Sequence, residues 1–260
     1  MEGLGDRGQG PAWADPRLWR AELSKERIIV ALDVDTEEKA AELVGKLAGK
    51  VGAFKVGLEL FNVGGPRVFL NLKAAGAGRI FYDAKLHDIP NTVAGAARAA
   101  ARMGIWMLNL HCSGGSAMMK AGAEAARDEA SKLGIEPPRV VGVTVLTSMD
   151  TMTLADELRV ASGLVSQVVH LAKLARSSGL DGVVASPQET RYIREACGPD
   201  FLIVTPGVRP AGTDSGDQKR VATPAEAARA GADYLVIGRP ITRADDPVAA
   251  ARAIAEEIDR

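Results

Sequence analysis

The residues best suited to chemistry lie in one short run, Asp83-Ala-Lys85-Leu-His87-Asp88-Ile89-Pro-Asn-Thr92. Side chains two apart on a strand share a face, so a strand ending here points Asp83 and Lys85 the same way. An ammonium beside carboxylates stays charged and oriented. Two further charges interrupt apolar runs upstream: Asp33 closes RIIVALD, and Lys55 sits inside GAFKVG. If these segments are neighbouring strands, Asp33, Lys55, Asp83 and Lys85 form an array of alternating sign. Unpaired buried charges are costly, so such an array must pair internally. The plainer alternative is a salt-bridge lattice that only fixes the core. A purely stabilising core would use Val and Ile at those positions.

A second group suits an anion. Thr205-Pro-Gly207-Val-Arg209 and Gly238-Arg239 each follow an apolar run near the C-terminal end. Glycine lets backbone N–H groups approach an oxygen, and arginine adds a bidentate charge. Between them Pro210–Lys219, which includes Gln218, is polar and has the build of a lid. The three histidines are less telling. His87 reads as a structural hydrogen-bonding residue, His111 closes another apolar run, and His170 sits in a helical pattern.

These residues need a frame. Apolar, β-branched runs occur at 27–33, 52–57, 79–85, 105–111, 139–146, 181–186, 201–207 and 233–238. Each is apolar almost throughout rather than alternating, as expected of a parallel strand buried on both faces. Helical patterns separate them: Leu164, Val168, Leu171 and Ala175 share one face. Ser186-Pro-Gln-Glu189 and Thr223-Pro-Ala-Glu226 read as capping boxes. Eight strands alternating with helices predict a closed (β/α)8 barrel, a single domain over residues 25–260. No glycine-rich turn follows Asp33, which argues against an open doubly wound sheet. In such a barrel the active site lies at the C-terminal ends of the strands, with phosphate held by the loops after strands 7 and 8. Residues 1–24 have no apolar period and are expected to form a tail outside the core.

Composition narrows the class further. The chain has 260 residues, 47% hydrophobic and 25% charged, close to the ~250 typical of one such barrel. Its net charge of −1 gives no bulk attraction to nucleic acid or to an acidic membrane surface. No apolar run approaches the ~20 residues of a membrane span, and no secretory leader is evident. The two cysteines, Cys112 and Cys197, follow no ligand spacing and read as reduced structural thiols, so a cytoplasmic location is expected.

The run from Asp83 to Thr92 resembles the D-x-K-x-x-D-I-P-x-T signature of the orotidine 5′-phosphate decarboxylase family. The resemblance extends through Ala31-Leu-Asp33, Phe54 to Phe61, Val145-Leu-Thr-Ser148, Val204 to Arg209, Asp217-Gln218 and Ile237-Gly-Arg239. It implies conversion of orotidine 5′-monophosphate to UMP and CO2, without metal or organic cofactor, in a homodimer. It further implies that Lys85, Asp83 and Asp88 are catalytic, with Asp88 reaching the partner subunit's site. Asp33, Lys55 and Thr92 would bind ribose hydroxyls, Thr147 would read the pyrimidine edge, and Ile89 would be a further substrate-binding residue. Arg209, Gln218, Gly238 and Arg239 would hold the phosphate. Other readings of the same charges are a metal-dependent sugar-phosphate lyase or synthase, a Schiff-base aldolase using Lys55 or Lys85, and a non-catalytic nucleotide-binding barrel.

Overall fold

Strands form where the apolar runs lie: β1 (Ile28–Ala31), β2 (Ala53–Val56), β3 (Ile80–Leu86), β4 (Met107–His111), β5 (Arg139–Val143), β6 (Gly182–Val184), β7 (Leu202–Thr205) and β8 (Tyr234–Ile237). Every neighbouring pair is parallel, and β1 pairs with β8 through Ile29↔Val236 and Val30↔Ile237. The sheet therefore closes in sequence order, as the alternation of strands and helices predicts. The computed structural model describes residues 24–210, 220 and 222–259. The expected tail up to residue 23, and Gln218, lie outside the described residues.

The helices are α1 (Glu37–Leu47), α2 (Leu58–Gly64), α3 (Arg67–Ala74), α4 (Pro90–Arg102), α5 (Gly115–Leu133), α6 (Leu164–Ser177), α7 (Pro187–Cys197), α8 (Pro224–Arg229), α9 (Arg239–Thr242) and α10 (Pro247–Ile258). Their ends follow local chemistry. The Thr36 hydroxyl accepts from the Lys39 N–H to start α1, whose first turn carries Glu37 and Glu38 and whose last carries Lys46. Asp246 caps α10 by accepting from the Val248 and Ala249 N–H groups. Gly134 ends α5 in a left-handed conformation, φ 66°, that a side chain would strain. At Thr223 both halves of the expected capping box form. At Ser186 the hydroxyl accepts from the Gln188 N–H, while the Glu189 carboxylate is also committed to Arg220. A buried guanidinium needs a carboxylate, and Glu189 lies beside it.

Strand parity divides the core in two. Ile28, Val30, Leu32, Phe54, Val56, Ile80 and Leu108 face outward and pack under the helices. Ile29, Ala31, Ala53, Phe81, Met107, Val141, Val204 and Val236 fill the barrel interior. At the N-terminal end of the strands Trp106 meets Tyr234 edge-on, ring centroids 5.3 Å apart, and Arg79 and Arg139 lie over the indole. Among the described residues no helix is long and apolar enough to cross a membrane.

Candidate active site

The inward parity that buries Ile29, Ala53 and Phe81 also sets the direction of the charges. Asp33, Lys55 and Asp83 continue the inward series at the C-terminal ends of β1, β2 and β3, where no apolar layer covers them. They line a cavity of about 330 Å³ with Lys85, Thr147, Ser148, Gly207, Arg209, Gly238 and Arg239. The register brings the strands together directly: Ala31 pairs with Lys55, and Lys55 with Phe81.

The charges form one unbroken chain. Lys55 Nζ lies 3.1 Å from Asp33 Oδ1 and 3.1 Å from Asp83 Oδ2. Lys85 Nζ lies 2.6 Å from Asp83 Oδ1. Burial alone would push the Asp83 carboxyl up. The cations Lys55 and Lys85, with hydrogen bonds from Lys85 and Asn109, instead bring it down to about 2. Burial works against the Lys55 ammonium as well, but Asp83 and Asp33 outweigh it and raise its pKa. Both effects favour the ionised form, so Asp83 and Lys55 stay charged at neutral pH. Beside them the His87 and His111 rings sit 5.2 Å apart. Burial, His87 and Lys85 lower the His111 pKa, which keeps that ring neutral.

Asn109 is the residue that motif reasoning missed. It is 1% exposed, on the inward face of β4. Its Nδ2 donates to Asp83 Oδ1 at 2.7 Å, and its Oδ1 accepts from the Lys85 backbone N–H at 2.7 Å. One signal was present in the sequence: a lone amide in the otherwise apolar stretch IWMLNL.

The loops after β7 and β8 bring Arg209 and Arg239 into the same cavity. The Arg209 Nε is buried and finds no acceptor among the described residues, as expected of a guanidinium shaped to receive an anion. Buried Arg220 donates to Glu189 Oε1 at 2.6 Å and to the Leu146 carbonyl at 2.9 Å. It thereby ties the loop after β5, which carries Thr147 and Ser148, to the start of α7.

Comparison with known proteins gives this geometry a family. Residues 26–254 match the model of the orotidine 5′-phosphate decarboxylase / HUMPS family. The chain belongs to that family. It is 59% identical over 236 residues, 91% of this chain and 93% of the relative, to the orotidine 5′-phosphate decarboxylase of Moorella thermoacetica. It is 49% identical over 236 residues, 91% of this chain and 98% of the relative, to that of Nostoc sp.. The crystal structure of orotidine 5′-phosphate decarboxylase from Lactobacillus acidophilus superposes with a TM-score of 0.79 at 40% identity, covering 90% of this chain and 99% of that one.

The match to the orotidine 5′-phosphate decarboxylase / HUMPS family spans every residue of the cavity. Of the expected site residues, Asp33, Lys55, Asp83, Lys85, Thr147, Arg209, Gly238 and Arg239 are brought together on one cavity wall or another. Asp88, Ile89 and Thr92 are not among its lining residues. All three are exposed on the loop after β3 and the first turn of α4, and Asp88 Oδ1 turns back to accept from the Ile89 N–H. Ile89 is 67% exposed, an apolar side chain on open surface.

Proposed function

We propose that this protein decarboxylates orotidine 5′-monophosphate to UMP and CO2, with Lys85 as the group that makes the step possible. The observation carrying this reading is the Lys85 ammonium, held 2.6 Å from Asp83 in a cavity that also presents Arg209 and Arg239. Loss of CO2 breaks the bond between ring carbon C6 and the carboxylate, and the bonding pair stays on C6. That pair lies in the ring plane, where the π system cannot spread it. A fixed cation beside C6 stabilises the developing charge without reorganisation. Lys85 then transfers a proton to C6 and becomes a neutral amine, which solvent reprotonates. Asp83 holds that ammonium in place and stands against the departing carboxylate. No metal or organic cofactor enters this scheme.

The remaining residues position the substrate. Asp33, Lys55 and Thr92 bind the ribose, Thr147 reads the pyrimidine edge, and Ile89 is a further substrate contact. Arg209, Gly238 and Arg239, with Gln218, hold the phosphate, whose binding energy is available to drive the chemistry at C6. Asp88 acts in the site of a second copy. Its exposure together with the apolar Ile89 suits a surface covered in a homodimer. A chain of net charge −1 has no field to draw in nucleic acid. The buried Cys112 thiol, pushed up to about 12 by desolvation, fits a reduced cytoplasmic protein.

The experiment is the loss of orotidine 5′-monophosphate absorbance, with release of CO2, by purified protein after EDTA treatment. Full activity is expected. Dependence on added divalent metal would favour the sugar-phosphate reading, and an adduct trapped by borohydride would favour a Schiff base.

A further inference from the structure

We infer that Asn109 is a positioning residue for this decarboxylation: one carboxamide bridges the backbone of Lys85 and the carboxylate of Asp83, and so fixes the direction of the ammonium. The inference rests on the proposed function and extends it.

The register of β3 against β4 makes the bridge necessary. Tyr82 pairs with Leu108 and Leu86 with Leu110, so Asp83, Ala84 and Lys85 together face Asn109 alone. The excess length is absorbed at Lys85, whose φ of 49° lies in the left-handed region. A non-glycine residue there is strained and persists only where its surroundings hold it. The bulge also removes the Lys85 N–H from the ladder, and a part-buried N–H with no ladder partner requires another acceptor. Asn109 Oδ1 supplies it at 2.7 Å.

The other end of the amide is equally specific. Asn109 Nδ2 donates to Asp83 Oδ1, the oxygen that also receives Lys85 Nζ. Turning the amide over would set its NH2 against the Lys85 N–H and its oxygen against the Asp83 carboxylate, so the network allows one orientation. Packing alone would select Val or Leu at this inward position, between Met107 and the charged layer. An amide buried without partners is unfavourable, and here both partners belong to the Asp83–Lys85 pair. The charged and titratable groups facing this point are Asp83 and Lys85 of β3, Lys55 of β2, and His111 of β4 with His87 beside it.

The test uses two substitutions in the full-length protein. Asn109→Leu keeps the branching and heavy-atom count of the side chain and loses both hydrogen bonds. A small displacement of a reacting group costs up to about 100-fold in rate, so kcat is expected to fall roughly 10- to 100-fold while UMP affinity stays within about threefold. A folded Leu variant with near-native kcat, or one losing kcat and UMP affinity in parallel, overturns the inference. Should that variant fail to fold, Asn109→Asp decides. A protonated carboxyl can offer its carbonyl to the Lys85 N–H and its hydroxyl to Asp83, copying the amide. Once ionised it repels Asp83. Its kcat is therefore expected to fall as pH rises across an interval where the wild type is flat, and a profile superimposable on the wild type counts against the bridge. Wild-type turnover measured alongside separates the failures: an inactive wild type condemns the decarboxylase reading itself.

Discussion

Asp83 accepts from Lys85 and Asn109 on one oxygen and pairs with Lys55 on the other, so its ionisation is coupled to folding. Its carboxyl sits near 2 in the folded protein against an ordinary 3.8. A depressed carboxyl contributes stability above its unfolded pKa and loses it as pH falls through the folded one. Urea unfolding from about pH 5 to about pH 2.5 should therefore show a loss of roughly 2 kcal/mol in the wild type that Asp83→Asn lacks. Lys55 has the opposite sign: its raised pKa keeps its contribution intact through neutral pH, to be lost only on the alkaline side. For function, Lys85→Ala should lower kcat by at least about 10²–10³-fold with UMP binding retained, because a group acting on developing charge acts in the transition state. Arg239→Ala should instead raise KM about 10- to 100-fold, as removal of a charge-assisted hydrogen bond to phosphate does. Steady-state kinetics and UMP titration separate the two patterns.

At the scale of elements, Arg220 holds loops that no backbone ladder joins. It is 6% exposed and its partner Glu189 1% exposed, and its guanidinium reaches the main chain of the loop after β5. Burial pushes the Glu189 carboxyl up against the pull of this guanidinium. A buried ion pair is expensive to halve and inexpensive to replace whole. Arg220→Met alone should destabilise the protein by about 3–5 kcal/mol, whereas Arg220→Met with Glu189→Met should come close to wild-type stability. Urea midpoints of the three proteins check this. A double variant as unstable as the single one would show that the bonds to the Val145 and Leu146 carbonyls, rather than the charges, hold the loop.

For the whole molecule, the placement of Asp88 makes a sharper prediction than any distance within one chain. If each site takes Lys85 from one subunit and Asp88 from the other, mixed dimers of Lys85→Ala and Asp88→Ala chains contain one intact site. Random reassociation of equal amounts should then recover about a quarter of wild-type activity from two nearly inactive parents. No recovery would place Asp88 outside the partner's site.

Much of this protein was legible in its sequence because the signals are local. A strand buried on both faces is apolar throughout, a helix start carries its own cap, and Asp33, Lys55, Asp83 and Lys85 stand out where hydrocarbon is otherwise required. The alternation of eight strands with helices, with no glycine-rich turn after the first strand, even pointed to the closed barrel over an open sheet. Tertiary structure decided what depends on register between strands. The bulge that turns Lys85 left-handed and presents Asn109 to it exists only once β3 lies against β4. Likewise Glu189, which looks like half of a helix cap along the chain, meets Arg220 only when the loops after β5, β6 and β7 converge. Spacing in sequence reports neighbours along a chain, and these contacts join residues that folding alone makes neighbours.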